Sequence, residues 1–344
     1  MAEVSPKEQV LQILLEKKET FVSGQELCER LGVSRTSVWK YINALRTEDH
    51  YEIEAVTNKG YRLLPGKDQD ILNRQEIENA LHTRWAGRPL IYSEKTGSTN
   101  DDIMELSDQG YGQGTLCVTD CQTKGKGRRG RTWISPTGCN VYMSILLKPK
   151  MLPEHAPTVT LVMALAMEQA FAELDAPENV RFGIKWPNDV VVTLDNEHYK
   201  KCVGILTEMR LEDREIKDVT IGIGININQE SFPEEISESA TSLKLALGRT
   251  VNRADLVARV WKYFEDDYEA FEKTEDLSLL QEKYEKALVN TGRKVRVLDP
   301  KGEYTGVARG ITARGELIVL PDGSEQEVHV ANGEISVRGV MGYV

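Results

Sequence analysis

Residues 125–131 read Gly125-Lys126-Gly127-Arg128-Arg129-Gly130-Arg131, three glycines alternating with four cations. Glycine accepts strained dihedrals, so a loop of this kind brings successive backbone N–H groups close to an anion while its side chains neutralise it. The flanks of the loop restrict the fold. Before it, Gly114 to Thr119 reads as a strand, and Gly125 to Thr132 falls one residue short of the pattern G-x-x-x-x-G-K-[ST], with arginine in place of lysine. That pattern opens a helix. Here Pro136 and Gly138 follow within a turn, and Asn140 to Leu147 is β-rich. A P-loop is therefore set aside in favour of a phosphate-facing loop between two strands, with a solvated basic hairpin as the simpler alternative.

Charge narrows the partners. With 344 residues the chain is long enough for two or three domains, and its formal net charge of −11 argues against indiscriminate binding to nucleic acid or membrane surfaces. Any DNA contact has to come from a local basic surface. The five cysteines (Cys28, Cys117, Cys121, Cys139, Cys202) form no C-x-x-C pair and are expected as reduced, packed thiols of a cytoplasmic protein. No segment approaches a membrane span or a signal sequence.

Such a basic surface is found near the start. Ser5-Pro6-Lys7-Glu8 and Ser23-Gly24-Gln25-Glu26 both have the capping-box form, opening helices to about Lys18 and Leu31. Gly32 allows a tight turn and Ser34 caps a third helix to about Arg46, which gives a helix-turn-helix. Between Val33 and Thr47 there are three cations and no acid. The runs 51–56 and 60–64 around Thr57-Asn58-Lys59 then read as a β-hairpin, the wing of a winged helix. Ser34, Arg35, Thr36, Ser37 and Lys40 on the third helix, with Lys59 and Arg62 in the wing, are the expected DNA-contacting residues. Trp39, Ile42 and Leu45 are expected in the core. Pro65-Gly66-Lys67-Asp68 reads as a linker.

Beyond the linker, helices and strands mix irregularly, with strands expected at 90–93, 114–120, 140–147, 182–186, 190–193, 202–208 and 218–226. This argues for an α+β domain with a mixed sheet. Polar clusters sit at its turns: Ser98-Thr99-Asn100, Gln122 beside the cationic loop, Lys185-Trp186-Pro187-Asn188-Asp189, Lys201 before the apolar run 202–206, and Gly222-Ile223-Gly224-Ile225-Asn226. Each has a plain structural reading as a cap, a turn or a strand end. A lysine at the mouth of a buried strand can also hold a phosphate or a developing oxyanion.

Together and in this order, with Gly204-Ile205-Leu206 and Glu208, these motifs resemble those of the biotin protein ligases. With the winged helix in front, the whole chain resembles the bifunctional biotin ligase and biotin-operon repressors of bacteria. Lys126 stands where the family often has arginine, which keeps the charge and loses the bidentate fork. The resemblance implies a multidomain α+β protein: a winged helix-turn-helix over 1–66, a mixed-sheet catalytic domain over 67–288, and an SH3-like β-barrel over 289–344. It implies ATP with Mg²⁺ and biotin as substrates, biotinyl-5′-AMP as intermediate and corepressor, transfer to a lysine of a biotin carboxyl carrier domain, and a homodimer on operator DNA. Lys201 and Arg128 are then the catalytic candidates. Ser98, Thr99, Asn100, Gln122, Lys126, Gly127, Arg128 and Lys201 are the candidates for biotin. Gly125, Lys126, Arg128, Arg131, Trp133, Lys185, Asn188 and Asn226 are those for the nucleotide. Asp189 is the candidate for the metal, with Asn188 open as an alternative. Trp133 is read either as a stacking partner of adenine or as a core aromatic. The acidic, Ser-rich stretch 229–239 is read either as a plain surface loop or as a mobile loop that closes over the ligand, with Phe232 on the purine. Two other readings compete: a lipoate ligase, and a regulator whose central domain senses a small molecule without turnover.

Overall fold

The computed structural model describes residues 5–17, 20–47, 51–64, 70–300, 302–331, 335–340 and 342–344. Lys18, the proposed linker 65–68, and Gly333 and Glu334 lie outside the described residues. The chain divides into two compact units, Met1–Asn79 and Ala80–Val344.

In the first unit, α1 (Pro6–Glu16), α2 (Gly24–Leu31) and α3 (Arg35–Thr47) precede a two-stranded sheet of β1 (Ile53–Val56) and β2 (Gly60–Leu63). The caps largely follow the sequence. Ser5 Oγ accepts from Glu8 N and Glu8 Oε2 accepts from Ser5 N, the full reciprocal box. At α2 the box is only half made: Ser23 accepts from Glu26 N at 3.0 Å, while the Glu26 carboxylate pairs with Lys17 at 3.4 Å. Gly32 ends α2 with φ of 65°. Val10, Leu14, Leu27, Val38, Ile42 and Leu45 form a core of this unit's own. One expectation is corrected. Trp39 is 57% exposed, because helical spacing gives the buried stripe of α3 to Val38, Ile42 and Leu45 and turns position 39 outward. A further helix, α4 (Arg74–Ala80), is tied to the unit by Tyr51, whose hydroxyl donates to Glu76 and accepts from Asn73.

The second unit is built on a mixed seven-stranded sheet in the order β3-β4-β5-β9-β8-β7-β6, with only β3 and β4 parallel. Its strands are β3 (Leu90–Ser93), β4 (Leu116–Thr119), β5 (Val141–Leu147), β6 (Arg181–Lys185), β7 (Asp189–Thr193), β8 (Tyr199–Glu212) and β9 (Glu215–Ile225). Helix α5 (Thr99–Asp108) packs on β4, β5 and β9, and α6 (Val159–Ala172) packs on β6, β7 and β8. α6 is buried on nearly every side, as its apolar sequence requires. The short helices α7 (Glu234–Ser237) and α8 (Leu243–Leu247) lead to α9 (Arg253–Thr274), which covers α6 with Trp261, Phe264, Tyr268 and Phe271. After α10 (Gln281–Ala287) come β10 (Lys294–Leu298), β11 (Tyr304–Ile311), β12 (Leu317–Pro321), β13 (Val328–Val330) and β14 (Ser336–Gly339). They form an antiparallel sheet in the order β13-β12-β11-β10-β14. It has the small β-domain character expected for this region, but its ends do not meet in a closed barrel. Trp186, fully buried, fixes it to the larger sheet: its indole N–H donates to Gly315 O and its backbone N–H to Asn290 Oδ1.

Candidate ligand site

Glycines on two adjacent strands make the floor of the site. Gly204 of β8 faces Gly224 of β9, and Leu206 faces Gly222. A methyl group at Gly224 would lie 2.3 Å from the Trp133 ring, and one at Gly204 would lie 2.5 Å from it. At Gly222 it would lie 2.0 Å from Asn100 Oδ1. The bare backbone therefore seats Trp133 and Asn100 against the sheet.

A buried polar chain forms one wall. Gln122 Oε1 accepts from Thr99 N at 2.9 Å and from the Thr99 hydroxyl at 3.2 Å. Thr99 Oγ1 and Ser144 Oγ are 2.6 Å apart, Ser144 donates to Asn100 Oδ1, and Asn100 Nδ2 donates to Glu208 at 2.5 Å. Ser98, 2% exposed, stands at the start of α5 without a side-chain capping bond. Polar groups this deep are positioned by one another, so their orientation is fixed before a ligand arrives.

The cationic loop folds back on itself. Gly127 N donates to Arg131 O at 2.7 Å and Trp133 N to Gly125 O at 2.9 Å, with one 3₁₀ turn at Arg128–Gly130. Arg129 has φ of 57° and Gly130 of 70°. No helix follows, in keeping with the exclusion of a P-loop. Lys126 pairs with Asp101, whose hydrogen bond holds the ammonium pKa above its usual value. Arg128 donates to Asn188 Oδ1 at 2.8 Å, and Asn188 donates on to Ile205 O. Burial lowers the Arg128 pKa from its ordinary value, against the attraction of Asp189.

Asp189 is the centre of a second cluster. Its Oδ2 accepts from the Tyr343 hydroxyl at 2.6 Å, and its Oδ1 is 2.5 Å from the Lys201 ammonium. That Oδ1 has no well-directed hydrogen bond among the described residues. Burial works to raise the carboxyl, but Lys201, Lys185 and Tyr343 hold its pKa below the usual carboxylate value. The Lys185 ammonium lies 3.7 Å from the centre of the Tyr343 ring. Burial pushes its pKa down to about 8, against Asp189 and with the repulsion of Lys201, Arg338 and Arg131.

These groups surround two adjoining cavities. A small one of about 40 Å³ is lined by Ser98, Thr99, Asn100, Gln122, Lys126, Gly127, Arg128 and Lys201, with the glycine floor and Trp133. A broad cleft of about 1160 Å³ is lined by Arg131, Lys185, Asn188, Asp189, Asn226, Phe232, Arg338 and Tyr343. Gly127, Arg128, Trp133, Asn188 and Lys201 border both. Of the residues singled out in the sequence, Gly125 borders neither, and its place is close beneath Trp133 O, where a side chain would not fit. Asn226 borders the cleft, but its amide is occupied with Thr241 O. The 229–239 stretch carries helix α7, and Lys201 N donates to Ser239 O. Sequence reasoning missed Ser144, Asp101, Arg338 and Tyr343; nothing in their local pattern distinguishes them.

In the first unit, Arg35, Thr36 and Lys40 are exposed along α3, and Ser34 caps that helix through Ser37 N. Lys59 is exposed in the wing. Arg62 is engaged with Glu54 and stacked 4.6 Å from the centre of the Phe21 ring. Arg46 donates to Ile53 O and braces the wing.

This fold and this site define a class, the biotin and lipoate ligases joined to a DNA-binding module. A model of the biotin/lipoate A/B protein ligase family matches residues 92–226, an HTH domain matches 6–62, and a biotin protein ligase C-terminal domain matches 291–338. The bifunctional ligase/repressor BirA of Bacillus spizizenii is 36% identical over 96% of this chain and 98% of its own length. Its namesake in Escherichia coli is 30% identical over 92% and 93%. The solved biotin protein ligase from Aquifex aeolicus, in complex with biotin and ATP, superposes with a TM-score of 0.61 at 31% identity, over 72% of this chain and 98% of that one. The chain belongs to the family of bifunctional biotin ligase/repressors. Among the described residues no helix is long and apolar enough to cross a membrane.

Proposed function

We propose that this chain activates biotin with ATP, passes it to a lysine of a carrier protein, and represses transcription when biotinyl-5′-AMP is bound. The observation that carries the reading is the border between the two cavities, where Arg128 and Lys201 face a pocket walled by neutral polar groups on one side and a cationic cleft on the other.

The small pocket suits the biotin head. Thr99, Asn100 and Gln122 offer fixed donors and acceptors for a ureido ring, and Trp133 covers it. The cleft suits a triphosphate, with Lys185, Lys201, Arg131 and Arg338 in its lining and Lys185 and Lys201 at one carboxylate. When the biotin carboxylate attacks the α-phosphorus, two anions meet and negative charge builds on the phosphoryl oxygens. Cations already held in place at that border lower the barrier, because they need no reorganisation. Pyrophosphate leaves and a mixed anhydride forms. The carrier lysine, as free amine, then attacks the carbonyl and AMP departs. No side chain at the border has the character of a covalent nucleophile, so the acyl group passes directly.

Among the described residues no three metal-ligating side chains converge. One buried carboxylate, ion-paired through Oδ1 with Lys201, fits Mg²⁺ of the kind held mainly by phosphates and one or two carboxylates. Asp189 would hold it there, and the ion would neutralise phosphate charge. Carrier recognition and adenylate-promoted dimerisation on DNA complete the proposal; they rest on the family and on the exposed cations of α3.

Pyrophosphate release from ATP-Mg²⁺ tests the reading, with biotin, lipoate and no acid in parallel. Release with biotin alone is expected. Release with lipoate instead would reassign the substrate, and biotin binding without release would leave a sensor.

A further inference from the structure

The Asp189 cluster is charge-unbalanced. Lys185 and Lys201 act on one carboxylate, Arg131 and Arg338 repel Lys185, and the group that meets both Asp189 and Lys185 is the neutral side chain of Tyr343. Its hydroxyl takes Asp189 Oδ2, and its ring takes the face of the Lys185 ammonium. These are the two groups in the cleft that a metal-bound polyphosphate would claim first.

Among the described residues, Val340 N donates to Lys294 O, and 342–344 make no backbone hydrogen bond to the rest of the chain. Gly342 has φ of 138°, a conformation that side chains rarely adopt. Val344 lies against the end of β14, where a methyl group on Gly339 would meet its O at 2.1 Å. The Tyr343 side chain itself is held by one charge-assisted hydrogen bond and one cation–π contact, beside a buried Val344.

From this geometry we infer that Tyr343 is a residue of the nucleotide site that acts as its gate, holding Asp189 and Lys185 until metal-bound nucleotide displaces it. The inference rests on the proposed adenylation function and deepens it. The gate opposes nucleotide binding, since each incoming charge has to replace a contact already made. The small pocket lacks Tyr343 in its lining, so biotin binding is not opposed in the same way.

The test is calorimetric binding of α,β-methylene-ATP with Mg²⁺ to the full chain and to Tyr343→Phe and Tyr343→Ala, beside biotin binding without nucleotide. Phenylalanine keeps the ring and removes only the hydroxyl, so the fold is retained while Asp189 is released. We expect Tyr343→Phe to tighten nucleotide binding about tenfold, the scale of one hydrogen bond to a charged group. Tyr343→Ala should tighten it further by baring Lys185, with the biotin constant the same in all three. Unchanged or weaker nucleotide binding in both variants overturns the gate. A parallel change in biotin affinity overturns it too, since it would mark a general loss of structure. A wild-type chain that releases pyrophosphate with biotin while the variants show no gain sinks the gate alone. A wild-type chain that binds no nucleotide sinks the adenylation reading first.

Discussion

At the scale of single residues, the site depends on side chains that are missing. Gly204, Gly222 and Gly224 leave room for Trp133 and Asn100 to lie on the sheet. A methyl group at Gly224 cannot be absorbed by a flexible neighbour, because the atoms it meets belong to a rigid indole ring. We predict that Gly224→Ala pushes Trp133 off the floor and weakens biotin binding by about tenfold, the lower end of the cost of overpacking. The melting temperature should fall by only about 2–4 °C, the scale of 1 kcal/mol in a unit of this size, since β9 keeps its ladder. Calorimetric biotin binding beside a thermal melt checks this, and full biotin affinity in the variant would detach Trp133 from the pocket. The sequence displayed these glycines as a motif, but not what they make room for. Their partners are 71 to 122 positions away in the chain (Trp133 to Gly204, Asn100 to Gly222), and only the strand register of β8 against β9 brings them together. Ser98, Thr99, Asn100 and Gln122 were legible because small polar residues at turns next to a cationic loop are suspicious in themselves. Tyr343 has no such neighbourhood, and only its reach to Asp189 gives it a role.

Among elements, the β8–β9 hairpin is the part the sequence foreshortened. The sequence predicts strands that stop near 208 and resume at 218. The structure carries both strands out to Glu212 and Glu215, with Asp213 and Arg214 at φ of 50° and 72° in a tight two-residue turn. Burial does not hold this extension, for Met209 and Leu211 are exposed. Ionic contacts do. Arg210 donates through Nε and Nη2 to both oxygens of Asp218, and through Nη1 to Asp108 at the end of α5. Asp218 is 1% exposed and also accepts from Ser107. We predict that Arg210→Ala destabilises the second unit by about 3 kcal/mol, since it strands a buried carboxylate. The effect has a pH signature. Hydrogen bonds from Arg210 and Lys217 hold the Asp108 carboxyl down at about 2, well below its ordinary 3.8. A carboxyl depressed by folding adds stability that is complete above its unfolded pKa and is lost as pH falls toward the folded one. Wild-type stability should therefore drop between pH 4 and pH 2 more steeply than that of Arg210→Ala. Urea melts at pH 7, 4 and 3 measure both quantities, and parallel curves would remove Arg210 from this account.

The whole molecule sets a constraint that no single element does. A chain of net charge −11 repels DNA at a distance, so its DNA contacts have to be few, local and used together. The first unit presents Arg35, Lys40 and Lys59 on exposed positions, Arg35 with one donor on Gln25, whereas Arg46 and Arg62 are engaged with the wing. Of the cations expected from the sequence to meet DNA, packing sets Arg62 apart. Three phosphate contacts per chain correspond to a slope of roughly −3 in log affinity against log salt, too small a term for tight operator binding at physiological salt. Two chains side by side would double it. We therefore predict a slope near −3 or shallower for the ligand-free chain on DNA, and near −5 once biotin and ATP-Mg²⁺ have filled the second unit. Lys40→Ala should reduce the second slope by about two, one contact from each chain, while leaving biotin-dependent pyrophosphate release intact. Titration of an operator duplex selected from random sequence, repeated across a salt series, yields every term. A slope that stays the same when the ligands are added would mean that the chain meets DNA as a monomer, and that occupation of the ligase site does not reach the helix that reads it.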